Sequence, residues 1–569
     1  MKEEIAKLLK IAVQEATGLQ IEPQVTPSSH SSQGDYSSNA PMIAFGMIKD
    51  KGLKIKDPKE LAEKIKELLT FDNSRLTFFD KVEVAGPGFL NFYLSQGYFG
   101  TYLYEVLISP EKIDLTGQSA QKVILEFGDP NPFKQLHIGH VRNLVLGESY
   151  ARILETLGNE VIRANYQGDI GLHVAKAIWG ILQIPNLKSQ ISNLQKKATE
   201  EKAEFLGKAY AQGAKAYEED KVAKVEIEAI NKRIYEDDPE INLIWKKGRK
   251  WSLEEFEVYY KRLGVKYVKY YFESQTAPRG KLIVQEHIND KIFEEHEGAV
   301  VFRGPPHTRV FITREGFPTY EAKDLALALM KKQDLDPDLS IIMTGNEQVD
   351  YFKVILSALK RIDPDLANKT RHVSFGFVTL AEGKMSSREG NVVTAKWLLE
   401  EAKKRIKKAF PDTNDKTLEA IAVGCVKYSM LKFGRESDIK FSFDESINLE
   451  GNSGVYLQYT FARIESILRK VEGKKYQMPE NIEFEPEERE LLRHLLYFRE
   501  AVEEAGREFA PNILCNYLYI LAQKFNLFYQ KHKVIGSDSE KFRLGLVMGV
   551  GKVLKTGFYL LGIDAPNKI

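Results

Sequence analysis

A multidomain α/β chain is predicted by three features of the 569-residue sequence. From Lys122 onward, short β-branched runs alternate with amphipathic helical stretches, the pattern of a parallel sheet wrapped by helices. Between about 185 and 300 the alternation gives way to long, charged, helical sequence, which reads as an insertion splitting the sheet domain. After Thr394 the apolar residues keep i, i+3, i+4 spacing, predicting an entirely helical C-terminal bundle.

Taken in order, residues 1–115 form an α/β segment of their own, with a helix at each end of a polar loop, 27–36, and a strand-like finish at 82–94. Gly86-Pro87-Gly88 marks a tight turn there. Strands of the main sheet are placed at 122–127, 160–165, 339–345 and 372–380, and the insertion offers helices at 196–220 and 225–262 with Trp245 and Trp251 as packing anchors. Helices follow at 395–410, 415–433, 453–472, 485–507, 511–532 and 538–561. The pattern divides the chain at 1–115, 116–394, 395–450 and 451–569.

Composition bounds the class of protein. A hydrophobic content of 43% and a charged fraction of 28% are those of an ordinary globular chain. No apolar stretch reaches the roughly 18 residues that cross a bilayer. The amphipathic, partly acidic start resembles neither a secretory signal nor a transit peptide, so a cytoplasmic enzyme is expected. Cys425 and Cys515 lie far apart without CxxC spacing, which argues against zinc or a disulfide framework and for two buried small hydrophobes. Lysine and arginine (81) exceed aspartate and glutamate (80) by one, so a nucleic-acid partner would have to meet local positive charge.

The chemistry-bearing residues begin at His137-Ile138-Gly139-His140, where an apolar strand yields to a helix-like run. A helix N-terminus there receives phosphate, and the glycine lets backbone approach a nucleotide. Far downstream, Lys384-Met385-Ser386-Ser387-Arg388 sits between Gly383 and Gly390, a basic loop suited to closing over a triphosphate. A third group is acidic. Glu126 and Asn131 flank the carboxyl end of the first strand, while Tyr320 and Asp324 stand four apart on one helix face. Two carboxylates and a tyrosine converging at the sheet edge suit a cationic side chain, and a planar guanidinium better than an ammonium.

The two motifs together resemble the signature sequences of class I aminoacyl-tRNA synthetases. With Glu126, Asn131 and His137 matching an amino-acid-binding stretch, Tyr320 and Asp324 a Tyr-x-x-x-Asp pair, and Gln348 a substrate-contacting glutamine, the chain resembles the arginyl-tRNA synthetase family over nearly its full length. Segments 164–171 and 384–393 are also similar to family blocks. The resemblance implies a Rossmann-type catalytic domain with a helical insertion, an N-terminal appended tRNA-binding domain, a helical stem-contact region at 395–450 and a helical anticodon-binding domain. It implies that arginine attacks the α-phosphorus of ATP without a protein nucleophile, and that the adenylate is passed to the 2′-hydroxyl of the terminal adenosine of tRNA(Arg). ATP, with Mg²⁺ travelling alongside, and no zinc are expected, as is activation that needs bound tRNA; no membrane partner is expected, and nothing marks an obligate interface, so a monomer is expected.

Residue by residue, the resemblance gives the phosphates to His137, Gly139, His140, Lys384, Met385 and Ser386, and arginine to Glu126, Asn131, His137, Tyr320, Asp324 and Gln348. The fourth position of the basic loop, lysine in the family, is Ser387 here. Lys134, three residues before the first histidine, is therefore read as the catalytic cation, with Lys384 and Arg388 assisting. Phe89 and Asn91 occupy positions that meet the tRNA elbow, and Arg463, Arg469 and Tyr529 positions that meet the anticodon stem-loop; Lys533 and Ile569 stand where the family pattern has an aromatic and a methionine. A cysteine or methionine synthetase would leave the two pocket carboxylates unexplained, and a non-catalytic RNA-binding relative would not need the histidines.

Overall fold

The computed structural model describes residues 1–28, 30–48, 55–70, 78–108, 120–381, 393–471 and 483–569. They fall into two compact units, Met1–Asp114 with Thr460–Ala501 and Tyr517–Thr556, and Leu115–Tyr459 with Val502–Asn516 and Gly557–Ile569.

The larger unit is built on a five-stranded, wholly parallel sheet: β1 (Lys122–Glu126), β2 (Glu160–Gln167), β3 (Lys269–Phe272), β4 (Leu339–Gly345) and β5 (Thr370–Phe375), in the order β5-β4-β1-β2-β3. Val123, Ile124, Leu125, Ile341, Ile342 and Met343 are all buried, the continuous apolar signature of strands covered on both faces. The helices used below are α1 (Ile138–Thr156), α2 (Leu172–Leu182), α3 (Thr199–Glu219), α4 (Pro239–Arg262), α5 (Glu273–Glu286), α6 (Tyr320–Leu335), α7 (Val349–Ile362) and α8 (Ala395–Ala409). Strand order reverses between β1 and β4, and in such sheets ligands bind outside the carboxyl ends at that switch point. The insertion packs its own core, where Phe133, Val174 and Ile178 meet Leu206, Ile227, Ile244 and Trp251; Trp245 is partly buried against the same cluster.

Three expectations for the larger unit are corrected. The helical insertion ends at Arg262 rather than near 300, because Lys269–Phe272 returns as the edge strand β3 and a three-stranded antiparallel sheet follows at Glu294–His296, Ala299–Phe302 and Arg309–Ile312. An edge strand of four residues, pairing on one side only, carries too little alternation to stand out from flanking helices. The strand expected at 372–380 is two, since at Gly376 the chain crosses so close to Ser437 that an added Cβ would lie 2.5 Å from its backbone. Its second piece, Val378–Leu380, pairs in parallel with Ile439–Phe441, so the chain beyond Thr394 is not entirely helical.

In the smaller unit a four-stranded antiparallel sheet (Val25–Pro27, Tyr36–Ser38, Phe89–Leu94, Phe79–Ala85) packs with the helices Lys2–Thr17, Ala40–Ile48 and Pro58–Thr70. The helix expected at 485–507 breaks at Tyr497 (φ −81°, ψ 2°) into Pro486–Leu496 and Phe498–Arg507, and the Tyr497 hydroxyl donates to the Asp35 carbonyl. Cys425 and Cys515 are both buried free thiols, pushed up by burial.

Candidate active site

His137 caps α1 in an extended conformation (φ −122°, ψ 172°). Its Nδ1 accepts from the Gly139 N–H and the His140 Nδ1 accepts from the His137 N–H, each at 3.2 Å, so two donors at the helix start are satisfied by imidazoles. The rings lie 3.8 Å apart. Burial first, and Lys134 after it, lowers the pKa of His137; burial, His137 and Lys134 hold His140 well below the usual histidine range. Both rings are therefore neutral near pH 7, and with Nδ1 accepting, the proton of each resides on Nε2. The motif offers uncharged N–H donors at the positive end of a helix dipole. At Gly139 an added Cβ would sit 3.0 Å from the His137 ring, so glycine lets that ring fold over the cap without being pushed aside.

The approach to this cap is held from both sides. Phe133 adopts a left-handed conformation (φ 69°) and its N–H donates to Ser252 Oγ at 2.8 Å. Ala395 N–H donates to the Leu136 carbonyl (2.8 Å), and Ile138 N–H to that of Val393 (2.9 Å). Lys134 places its ammonium 4.9 Å from the Tyr210 ring centre, near enough to act on both histidines. Lys384, Met385, Ser386, Ser387 and Arg388 lie outside the described residues.

At the carboxyl end of β1, Glu126 is 3% exposed and ion-paired with Lys331 of α6. Asp324, two turns earlier on that helix, accepts from the Tyr351 hydroxyl of α7 at 2.6 Å. Burial first, then the charges of Glu126 and Glu273, pushes the Asp324 carboxyl up to about 8 against the opposing Tyr351 hydrogen bond and Lys331. The Glu126 charge thus reaches Asp324, and Lys331 pairs with the first and acts on the second, so the two carboxylates belong to one buried cluster. Asp129, absent from the sequence reading, joins them. It has a positive φ (36°), accepts from the Tyr166 N–H at 2.7 Å, and is raised well above the carboxylate range by burial and by Glu126. Asn131 sits at the same rim, because a Cβ on Gly168 would strike its Oδ1 at 2.3 Å and the Glu273 carboxylate at 3.0 Å. Glu273, also missed, is buried and paired with Lys323 at 2.7 Å. Four carboxylates face two lysines here, leaving two negative charges uncompensated when all are ionised. Tyr320 opens α6 and is 54% exposed, and Gln348 lies exposed in the turn after β4, the strand paired with β1. Lys331 had a sequence signal, since seven residues from Asp324 it shares its helix face; Glu273 had none.

In the smaller unit Phe89, Asn91 and Tyr93 alternate onto the face opposite the buried Leu90, Phe92 and Leu94. Phe89 is 37% exposed, whereas Asn91 is buried and accepts from the Ser37 hydroxyl at 2.9 Å. Arg463 donates to Asn526 Oδ1 (2.8 Å) and lies 5.9 Å from the ring of Tyr529, which is partly exposed and stacks on Phe525.

A parallel sheet whose strand order reverses at β1, with an HxGH cap on the following helix and a buried acidic cluster at the strand's carboxyl end, is the catalytic architecture of a class I aminoacyl-tRNA synthetase. Three family models match in order: "Arginyl tRNA synthetase N terminal domain" at 1–94, "tRNA synthetases class I (R), catalytic domain" at 102–443 and "DALR anticodon binding domain" at 457–569. An arginine--tRNA ligase of Fusobacterium nucleatum is 33% identical, covering 96% of this chain and 95% of its own, and one of Phocaeicola vulgatus is 29% identical, covering 94% of each. The arginyl-tRNA synthetase structure of Thermus thermophilus superposes with a TM-score of 0.80 at 25% identity over all of both chains, and that of Plasmodium falciparum with 0.80 at 24% identity, covering 100% of this chain and 99% of its own. The chain belongs to the arginyl-tRNA synthetase family.

Proposed function

We propose that the chain activates L-arginine with ATP, giving arginyl-adenylate and diphosphate, and transfers arginine to the terminal adenosine of tRNA(Arg), with the residues above in the following roles. The observation that carries the reading is the buried acidic cluster of Glu126 and Asp324, with Glu126 at the carboxyl end of the strand where the order switches, on the chain that leads into the histidine cap. The guanidinium supplies the cation this cluster lacks, taken in charge-assisted hydrogen bonds by Asp324 and Glu126 with Asp129 behind them. Asn131, Tyr320 and Gln348, at the rim, orient the amino-acid end. Its carboxylate oxygen attacks the α-phosphorus of ATP, the bond to the β-phosphate bridge oxygen breaks, and diphosphate leaves. His137 and His140 donate from Nε2 to phosphate oxygens as charge builds, while Lys134 supplies the positive charge that neutral imidazoles do not. ATP enters as its Mg²⁺ complex. Among the described residues no His, Cys, Asp and Glu group could hold a resident metal.

The divisions 1–115, 116–394, 395–450 and 451–569 are read as the elbow-binding, catalytic, stem-contacting and anticodon-binding parts, with the Phe89 face and the Arg463–Tyr529 pair meeting tRNA through stacking and phosphate contact. The test is ATP–diphosphate exchange with each amino acid, with and without tRNA(Arg). Arginine alone is expected to drive exchange, and only with tRNA present; exchange driven by another amino acid overturns the specificity, and exchange without tRNA overturns the dependence.

A further inference from the structure

A cavity of about 160 Å³ lies between the insertion and the histidine cap, lined by Glu200 and Glu204 of α3, Glu255 and Tyr259 of α4, Gln135 and Leu136 ahead of the cap, and Thr394 and Lys396 at the start of α8. Its size is close to that of engineered cavities that admit a six-carbon ring. Glu200, Glu204 and Lys396 are exposed rim residues, whereas Glu255 is only 7% exposed. Glu255 makes no hydrogen bond or ion pair with any described residue, although buried carboxylates normally have partners. Nothing in the proposed reaction uses it.

We propose that this cavity binds a small aliphatic diamine, one ammonium on the buried Glu255 and the other on Glu200 at the rim. Glu204 is already paired with Lys208 at 2.8 Å, whereas Glu200 and Glu255 have no such partner among the described residues and face Lys396 alone, leaving one negative charge in excess when both are ionised. A metal ion is a poorer occupant, because these glutamates form no cluster able to hold one. Leu136 and Tyr259 provide apolar wall for an alkyl chain, and an ammonium donates three hydrogen bonds to acceptor-only carboxylates.

Burial, followed by the Glu200 charge, pushes the Glu255 carboxyl up to about 7 against Lys396. The groups facing it are Glu200 and Glu204 of α3, the latter paired with Lys208, Tyr259 of its own helix and Lys396 of α8; Arg262, one turn beyond Tyr259, is engaged by Glu400 and Glu419. Binding is therefore stronger above this value than below it.

Calorimetric titration of the full chain with 1,4-diaminobutane tests the site. One saturable site is expected, with affinity falling about tenfold from pH about 8 to about 6; Glu255→Gln lowers affinity about tenfold at the higher pH and abolishes the pH dependence. Glu236→Ala, removing an exposed carboxylate elsewhere on the insertion, leaves the affinity unchanged. Absence of saturable binding up to about 20 mM, far weaker than the millimolar affinity that about 4 kcal/mol confers, overturns the proposal. So does undiminished affinity in Glu255→Gln, or an equal loss in Glu236→Ala, which marks diffuse attraction to acidic surface. Should Glu255→Gln lose its fold by circular dichroism, Glu200→Ala at the exposed rim must weaken binding about threefold, and unchanged affinity overturns the site.

Discussion

The histidine cap and the acidic cavity lie side by side yet solve opposite problems. The cap is drawn from one stretch, 133–140, and offers neutral donors whose orientation is fixed by each other and by backbone. The cavity gathers Glu126 and Asp129 after β1, Glu273 from α5, Asp324 and Lys331 from α6 and Tyr351 from α7, and works through uncompensated charge. A phosphate site needs geometry at points where charge develops late, so neutral groups serve; a cation site needs carboxylates that are ionised when the cation is held. The difference predicts that the two regions respond differently to the same kind of change.

The largest effect falls on the cavity. Asp324→Asn removes one partner of a buried charge pair and is expected to weaken arginine binding by about 2–5 kcal/mol while leaving the KM for ATP unaltered, measured by exchange kinetics with each substrate varied. An unchanged KM for arginine removes Asp324 from the pocket. Next, Lys134→Ala is expected to lower kcat about a hundredfold or more with little change in KM, as for a contact made in the transition state; turnover near that of the parent chain rejects the role. The pH profiles then separate the regions. The Asp324 carboxyl, raised to about 8, is neutral below that value and must lose its proton to hold a guanidinium, so kcat/KM for arginine rises with pH by up to about tenfold per unit and levels off above it. The cap histidines, lowered, stay neutral over the same range, so kcat/KM for ATP is flat. A flat arginine profile removes the protonated carboxyl. The smallest effect is at Gly139→Ala, where a Cβ 3.0 Å from the His137 ring turns it slightly off its rotamer and raises the KM for ATP about threefold, within the roughly 1 kcal/mol such a shift costs.

The same contrast governs how much could be read from sequence. The cap was legible because all its parts are contiguous and its strand-to-helix context is local. Glu126, Asn131, Tyr320 and Asp324 were legible in part, through their nearness to the cap or their helical spacing. Asp129 lies between Glu126 and Asn131, yet its left-handed backbone and its burial come only from packing. Glu273 reaches the site because Gly168 lets it and Asn131 close together, a meeting that no local pattern encodes. The fold shows the same limit. Long buried strands and amphipathic helices announced themselves, while the four-residue edge strand and the crossing at Gly376 depend on neighbours distant in sequence.

The two hydrogen bonds joining Leu136 and Ile138 to Ala395 and Val393 form a seam between segments that the chain separates by most of a domain. Strain at either lip of that seam passes directly to the other. A substitution near residue 394, remote from nucleotide on any linear map, should therefore register as a disturbed imidazole.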